Sequence, residues 1–150
     1  MAGLLAAAIL LGPPAQAASP KYQSYTAATL ENLLVMCVEG DDNGCYFYAG
    51  RQAKAGKLKE AHDAYLIGAE NAKSRSGYVC MFQLARLYQA GQGIDQDLTQ
   101  AYRWLTHLMR IDGQQDLRDA ATSLRRTLAA DMTPDRIALS EALAKARLPK

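Results

Sequence analysis

The amino-acid sequence predicts an all-α fold, in which antiparallel helical hairpins stack side by side as an α/α superhelix, or solenoid. Two observations lead to this prediction. A stretch of the chain recurs 35 residues further on, and apolar residues recur at helical spacing, with no sustained strand pattern. Because one hairpin cannot bury its apolar stripe alone, repeated hairpins must pack on their neighbours. We expect seven helices.

The repeat is clearest where Cys45 to Gly56 aligns with Cys80 to Gly91. Five of the twelve paired positions are identical, including a Phe and an Arg four residues apart. A third, weaker copy follows 37 residues later, starting at Leu117. Each copy is predicted to form two helices, and the repeat domain is expected to span residues 26–148.

Capping residues place the elements in chain order. Apolar residues at helical spacing predict a lead-in helix with Leu30, Leu33, Leu34 and Cys37 on one stripe.

In the second copy Gly91 occupies the position of a left-handed C-cap. Asp97 is a favourable N-cap, and Gln100 completes a capping-box pattern for the helix that follows.

The last helix is predicted to begin at Thr133, an N-cap, followed by Pro134 in the first turn. It should run to about Ala146. Its mixture of charged and apolar side chains suits a polar-faced cap over the final hairpin.

Residues 1–17 have the features of a secretory signal peptide. They carry no charged side chain, and the apolar run from Ala2 to Leu11 is shorter than the roughly 20 residues that span a bilayer. A small-x-small pattern predicts cleavage after Ala17, which would place the chain in the periplasm or outside the cell. The alternative is a buried N-terminal helix. Residues 18–25 are expected to be extended or disordered.

Composition excludes several classes of protein. Hydrophobic residues make up 49% of the 150 residues, which is too apolar for a disordered chain. The net charge is +2, from 17 basic and 15 acidic residues. Such a balance provides no strong field for nucleic acid or an anionic membrane, so neither nucleic-acid binding nor stable membrane insertion is expected.

The sequence shows no catalytic or metal-binding pattern, so we predict no enzyme activity, no cofactor and no metal. His62 and His107 fall in different repeats, and the neighbouring Asp63 is expected to face away from His62. The acidic run that begins at Asp41 lacks the glycine and glutamate of a calcium loop, so it is interpreted as a turn. No serine has a lysine three residues later, as a β-lactam-binding serine enzyme requires.

Residues 84–105 resemble a Sel-one-like repeat, a longer relative of the tetratricopeptide repeat. The resemblance is strong over residues 78–112 and extends in organisation over residues 37–146. The matching positions are Leu84, Ala85 (where the family has Gly), Tyr88, Gly91, Gly93, Asp97, Ala101, Tyr102 and Trp104.

In an oxidising compartment neighbouring thiols pair, and the turn-rich segment between Cys37 and Cys45 could bring them together. The chain also resembles cysteine-rich secreted members of the family, and this resemblance implies a Cys37–Cys45 disulfide. Cys80 is then expected to be an unpaired core cysteine. Pairing between chains is the alternative.

The tetratricopeptide register places the first helix of each repeat on the inner, concave surface. Arginine beside an aromatic ring suits the binding of peptides and carboxylates. The alternative is that both Phe residues belong to the core and both Arg residues only extend over it. The candidate binding residues are Phe47, Arg51 and Lys54 in the first copy, and Phe82, Arg86 and Gln89 in the second.

We therefore predict an exported interaction module that binds a protein or peptide on its concave face. One alternative is a cell-envelope enzyme or β-lactam-binding protein, since some secreted relatives have been linked to that activity. Another is a structural subunit that oligomerises through its terminal helix or Cys80.

Overall fold

The computed structural model describes residues 20–146, so the predicted signal peptide lies outside the described residues. This part of the chain forms eight helices and no strand, which confirms the all-α class. Seven of the helices, α2 to α8, were expected. The helices are α1 (Pro20–Ala27), α2 (Leu30–Val38), α3 (Asp42–Lys54), α4 (Leu58–Glu70), α5 (Arg75–Ala90), α6 (Leu98–Leu108), α7 (Gln115–Ala130) and α8 (Pro134–Lys145).

The helices pack mainly on near neighbours in the chain. The repeat forms the antiparallel pairs α3/α4 and α5/α6, and α4 lies against α5. Helix α3 also contacts α5, and α5 contacts α7, so the first helices of successive copies touch one another directly. All the extensive contacts in residues 20–146 join helices no more than two positions apart in the chain.

The core follows the helical stripes that the sequence predicts. Fully buried leucines and the single tryptophan line the inner sides of the hairpins and account for much of the apolar area removed from water. The largest of these side chains are Trp104, Leu33, Leu84, Leu105, Leu108 and Leu117.

Most of the predicted caps are present. Thr133 and Asp97 both accept hydrogen bonds from backbone amides in the first turn of their helices. The reciprocal half of the capping box is absent, because the side-chain oxygen of Gln100 accepts from Arg103 at 3.1 Å. The amide of Asp97 instead donates to the carbonyl of Tyr88 at 2.9 Å, which ties the start of α6 to the end of α5.

The turn between α5 and α6 requires its two glycines. Gly91 has φ +62° and Gly93 φ +77°, a region that side-chain-bearing residues rarely adopt. A Cβ on Gly93 would also lie 2.5 Å from the carbonyl carbon of Leu58. The second copy therefore packs its turn directly on the start of α4, in the first copy.

The Cys37–Cys45 disulfide is confirmed, and it joins α2 to the first turn of α3. Cys80 is unpaired and fully buried on α5. Burial, together with the charge of Asp42, raises the pKa of the Cys80 thiol well above its ordinary value. Helix α4 approaches this thiol so closely that a Cβ on Gly68 would lie 2.8 Å from its sulfur.

The N-terminal segment differs from the sequence prediction. An extended or disordered stretch was expected over residues 18–25, whereas the structure has a helix from Pro20 to Ala27. Helix α1 packs on α3, and Tyr25 is only 3% exposed. Tertiary contacts, not local helix propensity, thus account for its order.

Candidate functional site

The six candidate binding residues lie on the least buried sides of α3 and α5. On α5, for example, Phe82, Arg86 and Gln89 are partly exposed, whereas Leu84 and Ala85 on the opposite side are fully buried. The same pattern holds on α3. Because α3 and α5 touch, these two sides belong to neighbouring helices.

On α3, the aromatic member of the pair contacts α1. The ring of Phe47 stacks on Tyr25, with ring centres 5.7 Å apart and planes 5° from parallel. The Tyr25 hydroxyl donates to the carboxylate of Asp41 at 2.5 Å, and that carboxylate also caps the start of α3. Burial, and then this hydrogen bond, raise the pKa of Tyr25 above its ordinary value.

Arg51, on α3, binds the C-terminal end of α1. Its guanidinium donates to the backbone carbonyls of Ala28 at 2.6 Å, Thr26 at 2.8 Å and Tyr25 at 3.4 Å. Carbonyls at the end of a helix have no partner within the helix, and they carry the negative end of its dipole. Arg51 therefore caps the C-terminal end of α1 from α3.

Phe47 and Arg51 thus contact another part of the same chain. The sequence predicts an open concave surface at these two residues, whereas in the structure α1 covers them. The sequence predicts that this Phe and Arg contact a polypeptide segment, but it does not predict that the segment is α1. The local signals in the sequence are Tyr22 and Tyr25, two aromatic residues in a segment otherwise poor in large apolar side chains.

On α5, the equivalent pair is not covered by α1. Phe82 packs partly against the core and leaves the rest of its ring accessible. Within residues 20–146, Arg86 has no hydrogen bond or ion pair, and Phe82 has no stacked ring. Gln89 lies one turn further on, and its backbone carbonyl accepts from the side chain of Gln96 at 2.7 Å.

The third copy does not continue the pattern. Its equivalent positions are Asp119, Ser123 and Arg126, all of them exposed. The neighbouring Arg125 instead lies over the ring of Tyr102, 4.8 Å from its centre.

A shallow cleft of about 370 Å³ lies between α6, α7 and α8, and sequence reasoning did not anticipate it. Arg125 and Arg110 both line it, and Arg110 also donates to the carbonyl of Ala144, near the end of α8, at 2.6 Å. Its lining residues are Thr106, Met109, Arg110, Arg125, Glu141 and Lys145.

The buried carboxylate of Asp42 has a structural role. Its side chain accepts from the backbone amides of Lys73 and Ser74, both at 2.7 Å, and from the Ser74 hydroxyl at 3.0 Å. It therefore fixes the start of α5 against the start of α3. Because these three hydrogen bonds hold the carboxylate of Asp42 in place between the two helices, its geometry indicates a structural role and not that of a catalytic acid or base.

The prediction that Asp63 faces away from His62 is wrong. A carboxylate oxygen of Asp63 lies 2.9 Å from Nδ1 of the buried His62, and the carboxylate also binds Lys59 at 2.6 Å. The His62 ring meets Tyr88 edge-on, 5.2 Å between centres. Across the described range of the chain, no three His, Cys, Asp or Glu side chains lie close enough to hold a metal ion.

His107 lies in a different environment, beside two cations. Burial, followed by the charges of Arg103 and Arg110, lowers its pKa to about 4. Its imidazole is therefore neutral at physiological pH.

No protein-family model matches this sequence, and no curated protein or solved structure matches it either. The resemblance to Sel-one-like repeats accordingly stays a prediction. No helix between residues 20 and 146 has both the length and the apolar character needed to cross a bilayer.

Proposed function

We propose that this chain is an exported interaction module of the Sel-one-like or tetratricopeptide-like kind, which binds a protein or peptide on the open side of α5. The observation behind this proposal is that Phe47 and Arg51 already hold a polypeptide segment, namely α1. Phe82 and Arg86 repeat the same pair at the same spacing, and in the described residues α1 makes no extensive contact with α5.

The packing order supports a solenoid. Extensive contacts join only helices close together in the chain, and the first helices of the copies touch in sequence. Such an arrangement leaves one side of each first helix available to a ligand. The Cys37–Cys45 disulfide supports export, because disulfides form and persist in oxidising compartments.

Affinity capture tests the proposed binding side. The oxidised chain would be immobilised and exposed to an extract of cell-envelope and secreted proteins. We expect a specific partner to be recovered, and its recovery to fall at least tenfold with Arg86→Glu. Arg136→Glu is the matched control, because it makes the same charge change at an exposed position of α8, which carries none of the candidate binding residues. Equal recovery by the two variants would contradict the assignment of the binding side.

The same material addresses catalysis. We expect no covalent labelling by a fluorescent penicillin, since the sequence has no Ser-x-x-Lys motif. A labelled chain would establish the envelope-enzyme alternative instead.

A second candidate function, self-association, is favoured by the outer side of α2. Leu30, Leu34 and Val38 lie four residues apart on this helix and are 39%, 40% and 68% exposed. Apolar stripes of this kind often mark contact surfaces. Light scattering of the unaltered chain and of Val38→Glu would test this candidate, and a monomer in both samples would refute it.

A further inference from the structure

The contact between α1 and α3 shows what a Phe–Arg pair of this protein recognises. Its ligand is the last turn of a helix. An aromatic ring lies flat on Phe47, and the backbone carbonyls at the helix end accept from Arg51. A third feature is the Tyr25 hydroxyl, which donates a hydrogen bond to the carboxylate of Asp41.

Helix α5 offers the first two of these features and lacks the third. A shift of 35 residues carries Phe47 to Phe82 and Arg51 to Arg86. The same shift carries Asp41 to Ser76, which is only 1% exposed, so no ligand can reach it. The α5 site should therefore recognise a ring and carbonyls but no hydroxyl.

Capping of a helix end by arginine occurs a second time in this chain. Arg110 donates to the carbonyl of Ala144, in the last turn of α8. A guanidinium suits this task because its fan of donors can engage several carbonyls while its charge meets the negative end of the dipole.

We propose that Phe82 and Arg86 bind the last turn of a helix contributed by a partner protein. An aromatic side chain of the partner lies on Phe82, and the terminal backbone carbonyls accept from Arg86. Phenylalanine and tyrosine serve equally well in the partner. This inference rests on the proposed function and names the form of ligand that the α5 side takes.

A peptide copied from α1 is the direct probe. A capped peptide with the sequence of residues 20–29 would be titrated into isotope-labelled full chain and followed by amide NMR. We expect shifts concentrated on α5 around Phe82, Arg86 and Gln89. Arg86→Ala should weaken binding at least about tenfold, as expected for loss of a charge-assisted hydrogen bond. Arg136→Ala, the control on α8, should leave binding unchanged.

Variants of the peptide separate the two sites. Tyr25→Ala in the peptide should abolish binding, whereas Tyr25→Phe should bind as the parent does, because Ser76 cannot receive the hydroxyl. Shifts centred on Phe47, with weaker binding of the Tyr25→Phe peptide, would mean that the peptide displaces α1, and would overturn the inference. Absence of any shift would overturn it too.

These failures are distinguishable from failure of the proposed function. If a captured partner depends on Arg86 but the peptide does not bind to α5, then only the form of ligand is wrong. If neither the partner nor the peptide depends on Arg86, both proposals fall. A dimer of this chain, detected by light scattering and lost in the Arg86→Glu variant, would also contradict the inference, since the occupant of the α5 side would then be a second copy and not a partner protein.

Discussion

Replacement of Tyr25 tests whether α1 is a docked segment or a fixed part of the core. The ring is 3% exposed and stacked on Phe47, so Tyr25→Ala removes a buried aromatic side chain. Truncations of this kind cost about 3–5 kcal/mol in protein cores. The low end applies here, because in the described part of the chain the extensive contacts of α1 are with α3.

A loss of about 3 kcal/mol corresponds to roughly a hundredfold in an equilibrium constant. Because the extensive contacts of α1 are with one helix, the loss should appear as local opening of α1 rather than as unfolding of the whole chain. Hydrogen exchange measured by mass spectrometry would follow this opening. We expect amide protection in residues 20–28 to fall about a hundredfold, or to vanish, while α5 and α6 keep theirs.

The Tyr25→Phe variant provides the graded control. It keeps the ring on Phe47 and removes only the hydrogen bond to Asp41, a change of about 1–2 kcal/mol, or near tenfold in protection. Equal protection of α1 in all three proteins would refute the docking contact. A uniform loss of protection that included α5 and α6 would show instead that α1 belongs to the cooperative core.

Three further predictions concern the scaffold. Gly68→Ala should lower the free energy of unfolding by about 1–3 kcal/mol in urea titrations, because its Cβ would lie 2.8 Å from the sulfur of Cys80; Gly50→Ala, with open space around it, should be neutral or stabilising. Reduction of the disulfide should lower the same quantity by about 2–3 kcal/mol, and thiol counting on the oxidised, denatured chain should find one free sulfhydryl; three would contradict the bridge. The pKa of His107 is about 4 in the folded chain, below its ordinary value of 6.5 in the unfolded chain. The stability that the neutral imidazole contributes is therefore fully present above pH 6.5 and is lost as the pH falls towards 4. The unfolding free energy should differ between pH 7.5 and pH 5, and His107→Gln should reduce that difference by about 1–2 kcal/mol, a range that allows for solvent screening of a half-buried ring. An unchanged difference would refute the lowered pKa.

Much of the fold could be predicted because its signals are local. The caps at Asp97 and Thr133 and the left-handed Gly91 depend on side chains or backbone within a few residues, and each is present in the structure. Helical periodicity likewise located α2 to α8. The buried side of α2 was predicted less well, because the predicted stripe included Leu30 and Leu34, which are both exposed.

The structure differs from the prediction where a second group competes with the predicted local partner for the same hydrogen-bonding atom. Gln100 has the right spacing for a capping box, but Arg103 takes its side-chain oxygen and Tyr88 takes the amide of Asp97. Local periodicity carries no information about such competition.

The candidate site could be predicted in its chemistry but not in its occupancy. The two Phe–Arg pairs follow from the repeat alone. That α1 covers one pair depends on contacts between residues 16 to 26 positions apart, which join Tyr25, Asp41 and Arg51. No strong apolar stripe in the sequence of α1 predicts those contacts, which among the described side chains involve the ring of Tyr25 and the backbone carbonyls at the end of the helix.

The buried thiol of Cys80 imposes an order of events on oxidative folding. Three thiols allow three different single bridges. Closing the 35-residue loop from Cys45 to Cys80 is entropically costlier than closing the native 8-residue separation by about 1.3 kcal/mol, near tenfold. Chain statistics thus favour the native pairing but do not guarantee it. Once Gly68 brings α4 against the Cys80 sulfur, no oxidant or neighbouring thiolate can reach it. Docking of α4 on α5 therefore removes Cys80 from disulfide exchange, so a substitution that slowed docking would leave all three thiols open to reaction for longer.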